Sequence, residues 1–523
     1  MTGAPDVDVA GLNQLARELA QGGQLDHAEQ ILRVLAGAGL AEGESLKAYA
    51  LALATHGQPL QAETWVRQAI AIDDADPISC NLLSYCLIQA ERYDEAAEAA
   101  RRAVALAPRF GDAHNNLGVA LNRLGRNREA LEASQAAVRL EPDCANLLNH
   151  ANVLRDLGRA HDALAVTERA CALGPQVAQA HYNRANLLQD AGRHAEAIPA
   201  YDTALALDPG HVSAHWNRAL CSLLLGDFEA GWAGYEWRWR EPATQLVERP
   251  YPYPLWLGES DPAGRSILVH CEQGLGDALQ FIRYAPVLAE LGARVQVEAF
   301  APLQALFQTM PGLEAVLRPG MPAPAVDFHC PLMSLPLALR RWRPDIPAAT
   351  PYLFPTPDQR QPWRERLAGF NGRRIGLTWC GSPTFRNDHN RSIPLAQFLH
   401  ALPAGPDYFV LQTQKRDGDD ALLQARPDIT DLGPEIRDFT DTAAICQAMD
   451  LVISVDTSLA HLAGALGRPL MVLLPYHPDW RWGLNSRTTA WYPSAELWRQ
   501  TAVGDWGTVL AELRARIQGV IAD

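Results

Sequence analysis

Across the first 240 residues, apolar side chains recur at helical spacing in short amphipathic stretches, and the whole pattern returns about every 34 residues. Leu19, Leu53, Leu87, Leu121, Leu154 and Leu188 hold one place in successive units, each inside the first of two helical stretches. Between the two stretches stand Gly23, Gly57, Gly125, Gly158, Gly192 and Gly226, with Glu91 in the one remaining place. Five positions on come Ala28, Ala62, Ala96, Ala130, Ala163, Ala197 and finally Gly231. A glycine between helices permits a tight turn, and a small residue five places later lets the second helix approach the first closely. The spacing predicts seven helical hairpins, and because one hairpin cannot bury its own leucine face, neighbours must stack to cover it.

Past residue 241 the period is lost. Pro242, Pro250, Pro252, Pro254 and Pro262 stand among Trp237, Trp239, Tyr251, Tyr253 and Trp256. Proline at that density stops helix continuation, and so many aromatics predict a packed junction over 242–264 that docks the last repeat rigidly onto the next domain. From residue 265 short apolar runs alternate with amphipathic stretches. ILVHC (267–271) and RVQVEAF (294–300) predict strands on either side of a helix over 278–291. A second set comes after it, with strands RIGLTW (374–379), YFVLQTQ (408–414), DLVISV (450–455) and LMVLL (470–474), and a helix over TSLAHLAGALG before the last. The fold class is therefore α plus α/β: a solenoid over 1–241, the junction 242–264, and two Rossmann-like halves over 265–360 and 361–500. The polar, proline-rich segment 351–363 crosses between the halves, and an amphipathic helix over 501–523 closes the chain.

The first 240 residues are then more closely defined by Pro108, Pro142, Pro175 and Pro209 after the second helices, and by the small residues Ala69, Ala103, Ala137, Ala170 and Ala204. In spacing and residue type, residues 9–240 resemble the tetratricopeptide repeat. The units also carry Asn116, Asn149, Asn183 and Asn217 in register. A side-chain amide both donates and accepts, so such a row can pair with the peptide groups of an extended chain, or can bond within the solenoid.

Composition changes this picture by exclusion. A net charge of −15 argues against nucleic acid or an anionic membrane as a general partner. No run of 18 uncharged apolar residues occurs, and the start MTGAPDVDVAG lacks a basic region followed by an apolar one, so the expectation is a cytoplasmic protein with no membrane span. Nine scattered cysteines without a CxxC pair predict buried thiols, neither disulfides nor a zinc site.

In parallel α/β folds ligands sit beyond the carboxyl ends of strands, which directs attention to three loops. Glu272-Gln273-Gly274-Leu275-Gly276-Asp277 joins a strand to a helix; Gly274 and Gly276 let backbone approach a bound group, and Asp277 is either a functional carboxylate or a helix cap. Asp456-Thr457-Ser458, with His461 five residues after Asp456, opens a helix after a buried strand, as an anion site or again as a cap. A helix end contributes about 2 kcal/mol at most, whereas micromolar binding needs about 8, so a cationic partner is required. The loop after Trp379 supplies it, with Gly381 and Arg391, and Gln412, Gln414 and Lys415 end the next strand.

Together GLGD at 274–277 and DTSLAHLAGALGRP at 456–469 resemble the motifs of the heptosyltransferase-like family of GT-B glycosyltransferases. The resemblance implies a cleft between two halves, a sugar nucleotide held mainly by the second, and inversion at the anomeric carbon. It implies Asp277 as general base, Arg391 facing the donor phosphates, and Asp456, Thr457, Ser458 and His461 lining the donor pocket. Where that family commonly has lysine, Arg391 stands here. No cofactor or metal is expected: of the Asp-x-Asp pairs Asp6/Asp8, Asp74/Asp76 and Asp417/Asp419, only the last lies near the cleft, and it reads as a polar loop. Trp480, Trp482, Trp491 and Tyr492 in the segment 475–493 are read equally as a sugar platform or as packing between halves. The layout is similar to O-GlcNAc transferase and to repeat-containing bacterial transferases that modify flagellin. The implied function is transfer of a sugar to a protein hydroxyl, flagellin among the candidates, with the repeats presenting the acceptor. A lipid-linked or polysaccharide acceptor, and a scaffold without turnover, remain as alternatives.

Overall fold

The computed structural model describes residues 8–321, 325–342, 346, 350–385 and 387–522. Asp6 of the first Asp-x-Asp pair lies outside them. Two compact units are present, residues 1–211 and 212–523.

Among the described residues of the first unit, six hairpins run from Val9–Gln21 with Leu25–Gly37 to Ala178–Asp190 with His194–Leu207. The turn positions all adopt the left-handed conformation, with φ of 75° at Gly23 and 73° at Gly192, and Glu91 takes it too, at 58°. That conformation costs an L side chain on the order of 1 kcal/mol, which is why glycine fills the other turns. The alanines five places on are fully buried, and the recurring leucines from Leu53 to Leu188 are buried with them. Leu19, in the first unit of the array, is only partly covered.

The seventh hairpin, Val212–Leu225 with Phe228–Tyr235, continues the period but packs with the second unit. Its small position is glycine because a Cβ on Gly231 would stand 2.6 Å from Leu223. Trp232, fully buried, meets Phe281 and Trp480 edge-on at 5.5 and 5.3 Å, and Phe228 faces Trp491. In the junction Leu255 bridges to His329, Trp256 is buried, and Tyr251 lies against His270 and His329.

The α/β part holds two wholly parallel sheets. The first is ordered β3-β2-β1-β4, from β1 (Ser266–His270), β2 (Arg294–Glu298), β3 (Leu313–Leu317) and β4 (Phe328–Pro331). The second is ordered β10-β9-β8-β5-β6-β7, from β5 (Arg374–Thr378), β6 (Asp407–Val410), β7 (Ile429–Asp431), β8 (Leu451–Val455), β9 (Leu470–Leu474) and β10 (Ala495–Arg499). Strands β1, β8 and β9 are buried at every residue, as expected of parallel strands covered on both faces, and so read as unbroken apolar runs. Three expectations are corrected in detail. The helix expected over 278–291 starts earlier, at Leu275, and is split into Leu275–Phe281, a 3-10 turn and Ala285–Glu290, where Pro286 restarts it. The strand expected over 408–414 ends at Val410, so Gln412 to Lys415 belong to the following loop. The closing helix is Trp506–Ala522, preceded by β10.

None of the nine cysteines forms a disulfide. No helix among the described residues is long and apolar enough to cross a membrane.

Candidate active site

Both motif loops leave buried strands, and their helices meet. Gly276, on Leu275–Phe281, packs so closely on Ser458–Ala465 that a Cβ there would stand 2.9 Å from His461 Cδ2 and 3.6 Å from Ser458 Cα. His461 cannot give way: it is buried, its Nδ1 lies 3.0 Å from the Tyr492 hydroxyl, and its ring stacks on Trp482. Burial and the nearby Arg481, Arg283 and Arg391 hold the imidazole neutral, well below its usual pKa.

Asp277 lies beside this contact, half-buried, with both carboxyl oxygens engaged. Oδ2 accepts the Gly274 N–H at 2.8 Å, closing the turn, and Oδ1 is ion-paired with Arg481. Burial and the carboxylate of Asp479 raise its pKa, against the lowering effect of Arg481. A desolvated carboxyl with one cationic neighbour has the electrostatics of a general base. Asp277 is thus the cap that the sequence offered as one alternative, and its carboxyl is also desolvated and ion-paired.

The loop leading to Asp277 is fixed from behind. Glu272 accepts the N–H groups of Leu332 and Met333 at 3.1 and 3.2 Å and an Arg238 N–H at 3.1 Å, and burial lifts it to about 7 despite that guanidinium. Arg238, itself wholly buried, also donates to Glu236 and Ser334, while the Tyr235 hydroxyl donates to Gln273. The terminal hairpin and the turn after it therefore set the backbone of the glycine loop.

Asp456 directly follows β8. Burial and Asp479 push its carboxyl up to about 6, opposed by Arg391 and Arg481. Arg391 donates to the Asp456 carbonyl at 2.8 Å and to Asp388, and Asp388 also binds Arg416. Gly381 completes the cluster, since a Cβ there would meet Arg391 Nη2 at 2.3 Å. Thr457 caps Ser458–Ala465 through its carbonyl, and its hydroxyl turns back to Ser454 at 3.1 Å. The structure thus gathers Gly274, Gly276, Asp277, His461 and Ser458 on one side, and Gly381, Arg391, Asp456 and Thr457 on the other, with Arg481 near both Asp277 and Asp456.

Two further expected donor residues lie in the loop after β6, which touches Cys380 and Gly381. Lys415 is engaged by Asp420 and Asp431, and Gln414 is exposed in the loop, its carbonyl bonded by Gln412. Asp419 accepts the Trp379 indole N–H and the Arg416 N–H, a structural role, and Asp76 caps the helix Pro77–Gln89. Among the described residues, no three His, Cys, Asp or Glu side chains are gathered as for a metal ion. The aromatic segment packs: Trp480, Trp482, Trp491 and Tyr492 are all buried, against Phe281, Trp232 and His461. Sequence reasoning passed over Arg481, Asp479, Asp388 and Arg416. Arg481 was hidden by its tryptophan neighbours, although an aspartate two residues before an arginine in a loop after a buried strand was a readable signal.

In the repeats, Asn116 donates to Asn81 at 2.8 Å and Asn149 to Asn115 at 2.9 Å, so these amides link successive first helices. Asn183 accepts from Gln179 at 2.7 Å, and Asn217 sits on Val212–Leu225.

A helical repeat array ahead of two parallel α/β halves, whose strand-end loops converge on an aspartate, defines a repeat-containing protein of GT-B-like type. Residues 86–144, 148–210 and 183–231 match the tetratricopeptide repeat, and residues 420–502 match the glycosyltransferase family 9 (heptosyltransferase) domain. The second match takes in Asp456, Thr457, Ser458, His461, Asp479 and Arg481 but not Asp277 or Arg391. Protein FlbA of Caulobacter vibrioides is 25% identical over 332 residues, 58% of this chain and 54% of that protein. The chain thus spans about half the length of this curated relative. Among solved structures, TTC0263, a thermophilic TPR protein in Thermus thermophilus, is 23% identical over 35% of this chain and 99% of its own, with a TM-score of 0.32. The APC/C hetero-tetramer Cut9-Hcn1 is 16% identical over 43% of this chain and 45% of its own, with a TM-score of 0.39.

Proposed function

We propose that the chain is a metal-independent, inverting glycosyltransferase that moves a sugar from a nucleotide donor to a protein hydroxyl, with the repeats recruiting the acceptor. The observation that carries this reading is the convergence of a desolvated carboxyl, Asp277, with the helix start of the family 9 domain, through the Gly276–His461 contact. In the proposed reaction the Asp277 carboxylate takes the proton of the acceptor hydroxyl. That oxygen bonds to the anomeric carbon as the bond to the donor phosphate breaks, and the diphosphate leaves. Arg391 and the amides opening Ser458–Ala465 face the charge that develops on the leaving group. Asp456 accepts hydrogen bonds from the sugar or ribose. The protein acceptor is supported by the tetratricopeptide array, and flagellin is its proposed identity by similarity of layout.

The experiment compares wild type with Asp277→Asn, first for thermal stabilisation by a panel of nucleoside diphosphates, then for transfer from the matching nucleotide-sugars to proteins, read by mass spectrometry. Asp277→Asn is expected to keep diphosphate binding and to lose transfer by about 100-fold or more. Transfer at the wild-type rate refutes the base. Transfer to saccharides alone moves the acceptor to a lipid-linked or polysaccharide sugar.

A further inference from the structure

The carboxyl proposed as base is held by groups from both sheets. Its own loop, after β1 of the first sheet, supplies the Gly274 N–H to Oδ2. Its counter-ion comes from the loop after β9 of the second sheet: Arg481, buried, reaches Oδ1. Arg481 is itself fixed on three further sides. Nε donates to Gln280 Oε1 at 2.8 Å, Nη1 donates to Asp479 at 2.9 Å, and the guanidinium lies over the rings of Trp480 and Phe281. Gln280 sits three residues after Asp277 on the same helix, so Arg481 grips that helix at two points.

We infer that Arg481 is a positioning residue for Asp277, setting the direction and the charge of that carboxyl from the opposite sheet, so that the base is assembled only where the two sheets meet. This inference rests on the reading of Asp277 as the base. A guanidinium presents its donors in a rigid plane, which suits simultaneous hold of two carboxylates and an amide better than an ammonium would. The charged and titratable groups that face Asp277 are Arg481 and Asp479 from the loop after β9 and the Tyr235 hydroxyl from the terminal hairpin. Arg481 is in turn felt by Asp456, just after β8, and by His461 on the helix that follows. With two carboxylates sharing one cation, loss of the cation leaves Asp277 beside a like charge in a desolvated place, and its affinity for a proton rises.

The test is a titration of the Asp277 carboxyl in the full chain, labelled with carbon-13 at aspartate carboxyl carbons, its resonance identified by its loss in Asp277→Asn. Arg481→Gln is expected to raise the midpoint by about one pH unit or more, and Arg481→Lys to restore most of the shift. Asp479→Asn, which removes the like charge that shares Arg481 with Asp277, is expected to lower it. An unmoved midpoint in a folded Arg481→Gln protein overturns the inference. Should that variant not fold, an unmoved midpoint in Asp479→Asn overturns it instead. If Asp277→Asn still transfers sugar, the base reading fails by itself while the titration stands. If Asp277→Asn is inactive and neither variant moves the midpoint, the positioning role alone fails.

Discussion

At the scale of single residues, the site is decided by atoms that are missing as much as by those present. Gly276 has no Cβ because His461, clamped by Tyr492 and Trp482, occupies the space 2.9 Å away. Gly276→Ala is expected to cost about 1–3 kcal/mol by forcing two packed helices apart, read as a lower midpoint in denaturant unfolding. Asp456 provides a second expectation. Burial lifts its folded pKa from 3.8 to about 6, so folding favours the protonated carboxyl, and that stabilisation is complete below the unfolded value and lost as pH rises through 6. Wild type should therefore lose melting temperature relative to Asp456→Asn as pH is raised across this range; a constant gap between the two would contradict it. The sequence marked Asp277, Asp456 and His461 as candidates through two motifs, and Arg391 through its place in the loop after a buried strand. It did not reveal Arg481, because the partner of that side chain lies about 200 positions away and only the folded packing of two sheets brings them together.

At the scale of elements, legibility followed periodicity. Helices in the array were readable to within a few residues, since turn glycines and buried alanines recur in every unit. The strands β1, β5, β8 and β9 were readable as apolar runs, whereas β3, β4, β7 and β10 were not, being short or interrupted by polar residues. One proline was passed over: the helix read over 278–291 runs through Pro286, which instead sits in the first turn of a new helix, Ala285–Glu290. The terminal hairpin is the element whose role changed most, from last repeat to structural support of the glycine loop. Trp232→Ala, which removes a fully buried ring touching Phe281 and Trp480, is expected to destabilise the second unit by about 3–5 kcal/mol. Hydrogen exchange should then show faster opening of Leu275–Phe281 than in wild type; unchanged protection there would show that the hairpin does not support that helix.

For the molecule as a whole, the proposed division of labour is between a unit that presents an acceptor and a unit that performs transfer. Replacing Asn116, Asn149 and Asn183 together by alanine is expected to raise KM for a protein acceptor by about tenfold while leaving nucleoside diphosphate binding unchanged. A matching loss of both would assign these amides to solenoid stability alone, in keeping with the Asn116–Asn81 and Asn149–Asn115 bonds.

The hairpin of Val212–Leu225 and Phe228–Tyr235, still in the 34-residue rhythm yet built into the chemical end, has a consequence for how such a chain changes over generations. Copying or deleting whole units ahead of residue 211 alters the length of the array in identical steps while the last pair of helices continues to brace the glycine loop. Under the proposed function, choice of client and the machinery of transfer can thus drift apart in sequence without a new joint having to be invented between them.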